Sequence, residues 1–366
     1  MGLNCGAQVL YSVRGLKMGD IVDICHGLAS EQGMVTPTID VDCSNACFKV
    51  GKNVQSVVKH LVKWAGTGLC IVPVCDGTVR PICKQASNKR KADRDKNRIK
   101  ASIIRKDLQS LNRRAYLDAL NRSELLTEIA TLEKECRTAE AASSNVVSGT
   151  LDAELIVELE QTGAHLRNDA RGFVHHVMTA EFQADSLIMG RVINGSTLMV
   201  QTSDSDIPAI SSDDCIAIKD FTQEGQMQIV SMSEQTIKKA MAYLLEGSWN
   251  HVTFTPAKHP IFEGVVDKRS RALIAIFLGC DVCIKGLPGV GAKTMNEIIN
   301  VYYPKYSKRC PNVSLFAYLK RYLCNKMKGY NHSVVQTYIR ALIYEPTNIA
   351  PSIGNPEQST SSKHQR

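Results

Sequence analysis

Several strand-length apolar runs in this chain end in an acid. In TPTIDVDCSN (36–45), Thr38, Ile39 and Val41 suit a short buried strand that closes on Asp42. LCIVPVC (69–75) is a second such run and ends at Asp76, although Pro73 within it cannot donate to a central ladder. STLMVQT (196–202) is a third and runs into Ser203-Asp204-Ser205-Asp206. Between them lie stretches of helical period, such as Val54, Val57, Val58, Leu61 and Val62, and residues 151–166. Strands alternating with helices predict an α/β fold, with a mainly parallel twisted sheet flanked by helices. In such a sheet ligands bind at the C-terminal edge, where these acids fall. A cluster of acids there repels itself unless cations neutralise it, and hard divalent ions such as Mg2+ take oxygen ligands of this kind. Two such ions about 4 Å apart can activate water and stabilise the leaving oxygen of a phosphodiester.

GCDVCIKGLPGVGAKT (279–294) adds a second kind of signal. Asp281 follows the apolar run ALIAIFLGC, and a glycine-rich turn, 286–291, precedes a helix expected to open at Ala292. Glycines bring backbone N–H groups close to an anion, and a helix N-terminus favours negative charge. An acid beside a phosphate-binding turn helps only if a cation stands between them, which points to a metal site in a nucleic-acid enzyme. Asp281 as an ordinary surface acid is the plain alternative.

Charge is unevenly placed. The formal net charge is +8, and KQASNKRKADRDKNRIKASIIRK (84–106) concentrates it. Cations outnumber anions there so heavily that a polyanion partner outweighs a merely solvated helix face. A gap-free helical region is expected from there to about Ala142. Ile104, Leu111, Leu125 and Leu132 give a broken heptad, but Asp118 in the same register and Arg122 at the other seam position disfavour a basic zipper.

The remaining segments constrain less. With 44% hydrophobic and 22% charged residues the chain is globular. No apolar run reaches the ~20 residues that span a bilayer, so no membrane partner is expected. The N-terminus lacks a secretory pattern, and Gly6 stands where a myristoylation site takes Ser or Thr. The thirteen cysteines read as reduced core thiols; Cys43/Cys47 and Cys280/Cys283 lack the second pair that structural zinc needs. Residues 1–36 are expected to be helices with loops. Residues 172–178 are expected as a strand with His175 and His176 as core or edge residues. Residues 180–189 are expected as a helix whose Glu181 and Asp185, four apart, share a face. Further strands are expected at 215–221 and 227–232, and helices at 235–246, 271–278 and 314–344.

Five motifs, in order and spacing, resemble those of the flap endonuclease/XPG-type 5′-nuclease family: IDVDCSN (39–45), VCDGTVRP (74–81) running into KRKADRDKNR, AEFQADSLI (180–188), TSDSDIPAI (202–210) and LGCDVCIKGLPGVGAKTMNEII (278–299). The resemblance covers roughly residues 1–300. It implies a PIN-like 5′-nuclease fold with a helical arch insertion and a helix–two-turn–helix region. Asp42, Asp76, Asp204, Asp206 and Asp281 then fall on metal-site acids holding two Mg2+ or Mn2+ ions. The family has two acids two residues apart near 181, whereas this chain reads Glu181-Phe-Gln183-Ala-Asp185. Counting from Asp204 puts Asp185 on the second acid and Gln183 on the first; anchoring on Glu181 puts Gln183 on the second. Lys84 and Arg90 or Lys91 fall near the arch cations that stabilise charge on the scissile phosphate. Lys89 and Arg94 join them as DNA-binding candidates, with Gly2 near the substrate. Gly289, Gly291, Lys293 and Thr294 match the duplex-gripping turn, where a K+ ion is a candidate.

The division expected is 1–106 and 151–234 for the nuclease domain, 84–150 for the basic arch, 235–345 for the helix–two-turn–helix region with a helical extension, and 346–366 for a disordered tail. The function expected is metal-dependent, structure-specific cleavage of DNA at single-strand/duplex junctions or from 5′ ends, by a nuclear monomer. The tail holds no sliding-clamp-binding motif. Two alternatives remain: a branched-DNA-binding protein with weakened catalysis, motivated by Gln183, and an RNA-directed 5′→3′ exonuclease, since nothing in the sequence reads a 2′-OH.

Overall fold

The computed structural model describes the chain apart from residues 1, 2, 4, 52, 78–83, 118–120, 144–150, 163–171, 182, 220–225, 245–247, 281, 282, 284, 285, 327–334, 337, 338, 341 and 343–366. For residues 84–90, 117, 141–143, 248, 249 and 323–326 it describes the backbone alone.

The chain opens with a short helix, α1 (Gly6–Val9), and a strand, β1 (Tyr11–Leu16), followed by α2 (Met18–Glu31). The strand corrects the expectation of helices alone over 1–36. Its alternation is masked because five of its six residues are buried, and its pairing slips at Gly15. The first acid-ended run forms β2 (Thr38–Asp42), buried throughout. Asp42 caps α3 (Cys43–Val50), and Asn53 caps α4 (Val54–Ala65). The second run forms β3 (Cys70–Cys75), also buried throughout, as in parallel strands covered on both faces.

Proline is tolerated inside β3 for a reason visible in its neighbours. β3 pairs with β2 on one side. On the other side it meets two fragments, β4 (Phe173–Val174) against Cys70 and Ile71, and β5 (Met178–Thr179) against Val74 and Cys75. His175 donates its backbone N–H to Ile71, and Ala180 donates to Cys75. By the two-residue alternation of a strand, the nitrogen of Pro73 faces the interruption between them, where no ladder bond is lost. The single strand expected over 172–178 is therefore two fragments at the sheet edge.

Two long helices follow β3. α5 (Lys84–Leu117) and α6 (Arg122–Ser143) pack along each other as a hairpin. The heptad residues meet across it: Ile104 and Ala101 pack with Cys136, Ala139 and Leu132, and Leu111 and Ala115 with Leu125 and Ile129. The apolar repeat is thus an intramolecular seam, and the gap-free helix expected to Ala142 is corrected to two helices. Arg105 pairs with Glu140 at 2.7 Å and Lys100 with Glu135 at 3.6 Å, both on exposed surface where such pairs stabilise little.

After α7 (Leu151–Thr162) and β4 and β5 come α8 (Ala184–Ile193), β6 (Met199–Gln201), α9 (Asp206–Ile210), β7 (Ile216–Lys219), β8 (Met227–Ser231) and α10 (Glu234–Met241). Then follow β9 (Thr253–Thr255), α11 (Lys268–Leu278), α12 (Ala292–Glu297), a π-helical turn at Ile298–Tyr302, α13 (Tyr303–Arg309) and α14 (Leu315–Lys326). The sheet order is β4-β3-β2-β6-β7-β8-β1-β9, with β5 beside β4 on β3. From β4 to β7 all pairs are parallel; β8, β1 and β9 add antiparallel pairs. One face is covered by an apolar layer including Ile24, Leu61, Leu155 and Ile237 from α2, α4, α7 and α10. The other is covered by Ile188, Ile207, Phe277 and Met295 from α8, α9, α11 and α12. The expected α/β class with a mainly parallel sheet is what forms. Among the described residues no helix is long and apolar enough to cross a membrane, and the described cysteines are free thiols.

Candidate metal and nucleic-acid site

Sheet order puts three of the acids on neighbouring strands. β2 lies between β3 and β6, so the chain leaves β2 toward one side and returns on the other. This is the switch point at which α/β sheets open a crevice beyond their C-terminal ends. Asp42 pairs in register with Val74, and Val41 with Gln201. Asp76 and Asp204 therefore each stand two residues beyond the level of Asp42, one on either side.

Small polar residues hold these carboxylates. Asp42 accepts from the Asn45 backbone N–H at 3.0 Å and from the Thr202 hydroxyl at 3.3 Å. Asp76 accepts from the Ser44 hydroxyl at 2.8 Å and from the Ala184 backbone N–H at 2.9 Å. The Asp204 N–H donates to Thr202 Oγ1, and the Asp206 N–H donates to Asp204 Oδ1. Ser203 donates to Asn45 Oδ1 at 2.6 Å, tying the β6 loop to the start of α3. Asp42, Asp204 and Asp206 are buried, while Asp76 is exposed. Burial, then the charges of Asp76 and Asp204, push the Asp42 carboxyl up to about 7, against the smaller opposing effect of its bonds to Asn45 and Thr202. Asp42 is thus repelled by both neighbours in a dry place, which a hard cation would relieve.

The oxygen-rich donor set suits Mg2+ or Mn2+ in its chemistry. Among the described residues, however, no three His, Cys, Asp or Glu side chains converge closely enough to hold a metal ion. Asp281 lies outside the described residues.

The pair around Gln183 is arranged differently from the expected helix face. α8 starts at Ala184, with Gln183 as its N-cap and Asp185 in its first turn. Glu181 precedes the helix and is exposed, so the shared face is corrected: only Asp185 is helical. The Ala184 bond to Asp76 nevertheless brings the start of α8 to the end of β3. Gly77 allows this approach, because a Cβ there would come within 1.8 Å of the Ala180 carbonyl oxygen.

Two charged contacts that sequence reasoning missed fasten this frame. Asp40, fully buried in β2, accepts from Arg191 of α8 at 2.8 and 3.2 Å. Arg271, buried in α11, reaches Asp213 at 2.6 Å and the carbonyls of Ser211 and Val265. The first ties α8 to the strand that carries Asp42, and the second ties α11 to the loop after α9. Asp40 two residues before Asp42, inside an apolar run, was the available signal; its partner 151 residues away was not.

The glycine turn forms as a tight reversal between α11 and α12. Gly286 has φ +60, and its Cβ would stand 2.5 Å from the Phe277 carbonyl oxygen. Leu287 donates to that same carbonyl at 2.7 Å and Val290 donates to Leu287 at 3.0 Å. Gly289 and Gly291 are exposed with open space around them, and Lys293 is exposed beside half-buried Thr294. Lys84, Lys89 and Arg90 lie in the first two turns of α5, with side chains outside the described set. Lys91 is exposed and Arg94 half-buried on the same helix, and Gly2 lies outside the described residues.

No protein-family model matches the chain, and a search of curated proteins finds no match. Among solved structures, the chain is similar to the catalytic core of Rad2 in complex with DNA substrate, at 12% identity over 86% of this chain and 79% of that one, TM-score 0.43. Human GEN1 in complex with Holliday junction DNA matches at 14% identity over 82% and 60%, TM-score 0.38. Flap endonuclease-1 from Methanococcus jannaschii matches at 12% identity over 84% and 92%, TM-score 0.37. These likenesses are distant. The chain's own geometry is that of a mainly parallel α/β sheet with Asp42, Asp76 and Asp204 gathered at its C-terminal edge.

Proposed function

We propose that the protein is a divalent-metal-dependent, structure-specific nuclease that cleaves DNA at single-strand/duplex junctions or from 5′ ends, working as a nuclear monomer. The observation that carries this reading is the electrostatic gathering of Asp42, Asp76 and Asp204 on three adjacent strands, with Asp42 pushed up to about 7. Asp42, Asp76, Asp204 and Asp206, with Asp185, Glu181 and Asp281, would hold two Mg2+ or Mn2+ ions. Those ions, when bound, supply charge neutralisation at the phosphate and acidify the attacking water. Thr202, Asn45 and Ser44 hold the carboxylates in orientation through the hydrogen bonds given above. Lys84 and Arg90, at the root of the basic hairpin, offset negative charge building on the scissile phosphate. The Gly286–Gly291 turn, with Lys293 and Thr294, anchors duplex away from the cut, with K+ as a candidate bridging ion.

The test is cleavage of 5′-labelled flap, nicked-duplex and single-stranded DNA, with matched RNA, in Mg2+, Mn2+ or EDTA. Cuts at the junction that vanish with EDTA and in Asp204→Ala, whose DNA binding stays intact, support the reading. Cleavage retained by Asp204→Ala overturns it. A second reading, a branched-DNA binder with weakened catalysis, is favoured by two observations. Gln183 stands at the N-cap where the resemblance wants an acid, and the described acids do not converge on one point. Binding without cleavage in either metal would select it.

A further inference from the structure

The segment beyond the glycine turn has an unusual composition. From 298 to 344 it carries eight Lys or Arg, no Asp or Glu, and eight of the protein's 11 tyrosines. In the described part the tyrosines form one cluster. Tyr318 of α14 stands 5.0 Å from Tyr306 and 5.4 Å from Tyr303 between ring centres, at 44° and 48°. Tyr302 and Tyr322 lie close enough to raise the Tyr318 phenol together with Tyr306, on top of the larger effect of burial.

This cluster is only half sunk into the molecule. Tyr318 and Tyr322 pack on the buried layer that includes Met295 and Leu319. Tyr302 follows Ile298 and Ile299, both buried, at helical spacing, yet at the end of the π-helical turn it is 52% exposed. Such turns are often found at functional sites. Around the rings, Lys305, Lys308 and Arg309 are exposed on α13, and Arg321 of α14 donates to the Tyr306 hydroxyl at 3.2 Å. A core edge needs neither the exposed ring nor the total exclusion of acids over 47 residues.

We infer that the end of the π-helical turn, α13 and α14 form a platform for unpaired bases, on which tyrosine rings stack while the surrounding cations hold the phosphates. Single-stranded nucleic acid is the polyanion that offers both a charged backbone and flat apolar faces, and stacking takes any base. Duplex offers the charge with its faces hidden. Tyr302 lies ten residues beyond Ala292 along a helical run, about 15 Å from the glycine turn. A junction whose duplex arm is held by that turn would therefore have its unpaired strand within reach of the platform. The placement rests on the nucleic-acid reading above but does not require cleavage.

The test uses the full chain in EDTA, so that nuclease activity plays no part. Fluorescence anisotropy measures binding to labelled oligo-dT, oligo-rU, an abasic phosphodiester of equal length, and duplex. Tyr302→Ala should weaken oligo-dT and oligo-rU at least about five-fold, as loss of one stacked base does, and leave abasic and duplex binding unchanged. Tyr302→Phe should bind like the parent. Combined Lys305→Ala, Lys308→Ala and Arg309→Ala should weaken every probe and flatten the salt dependence. Equal affinity for oligo-dT and the abasic strand, or a Tyr302→Ala loss shared by all probes, would overturn the platform. Either result leaves the nuclease reading standing. Failure of cleavage with base-dependent binding intact does the reverse.

Discussion

Asp42→Asn should stabilise the metal-free protein at alkaline pH and cost it about 1 kcal/mol near pH 4. The folded carboxyl titrates at about 7 because it is buried and faces Asp76 and Asp204, whereas an unfolded aspartate titrates near 3.9. Between these values the folded chain keeps a proton that the unfolded chain has released. Its stability therefore falls as pH rises through roughly 4 to 7 and levels off above. Three units at about 1.4 kcal/mol each set an upper bound of ~4 kcal/mol. The asparagine keeps the bond from the Asn45 N–H but disturbs that from Thr202, which costs about 1 kcal/mol. The net gain near pH 8 is then ~2–3 kcal/mol, or roughly 5 °C or more in Tm. Thermal and urea unfolding in EDTA across that pH range measure it. The variant should also lose most of the Tm increase that Mg2+ gives the parent. An equal or lower Tm near pH 8, or a gain that persists near pH 4, would show that Asp42 is not crowded by other charges.

Three further outcomes are expected. Arg191→Met leaves Asp40 buried without its cation and should cost about 3–5 kcal/mol in urea unfolding, whereas pairing it with Asp40→Leu should recover much of the loss. Gly286→Ala meets a carbonyl at 2.5 Å in a left-handed conformation and should lower Tm clearly, while Gly291→Ala, with φ −98 and open space, should leave Tm alone and weaken only duplex binding. Leu125→Asp puts a charge into the hairpin seam and should lower helicity by circular dichroism, leaving the Tm of the sheet domain in place because α5 and α6 pack chiefly on each other.

Much of the fold was legible because buried parallel strands read as short apolar runs. β2, β3, β6, β7 and β8 all fall within such runs, and Asp42, Asp76 and Asp204 sit at or just beyond their ends. β1 was missed because its burial leaves no alternation, and β9 because a three-residue strand carries no periodic signal. The heptad was seen, but a repeat does not say which copy of a helix it packs on. The repeat is divided between α5, which ends at Leu117, and α6, which starts at Arg122, and the two pack their apolar sides on each other. Glu181 and Asp185 were placed on one helix face by spacing alone, and a helix start at Ala184 rather than at 180 separated them.

Local residue order was enough to establish the class of fold, the acids at strand ends and the tight glycine turn, because each depends on neighbours a few positions apart. Which strands became neighbours, and so which acids repel one another, depends on contacts between distant segments, such as Thr38 with Cys70 and Ile39 with Met199. The same holds for Asp40 with Arg191 and for Thr202 with Asp42. Burial likewise arises only when layers close over a group. It raises Asp42 and leaves one tyrosine of a cluster exposed and the others half-buried, since both desolvation and ring packing are properties of the assembled surfaces rather than of any segment.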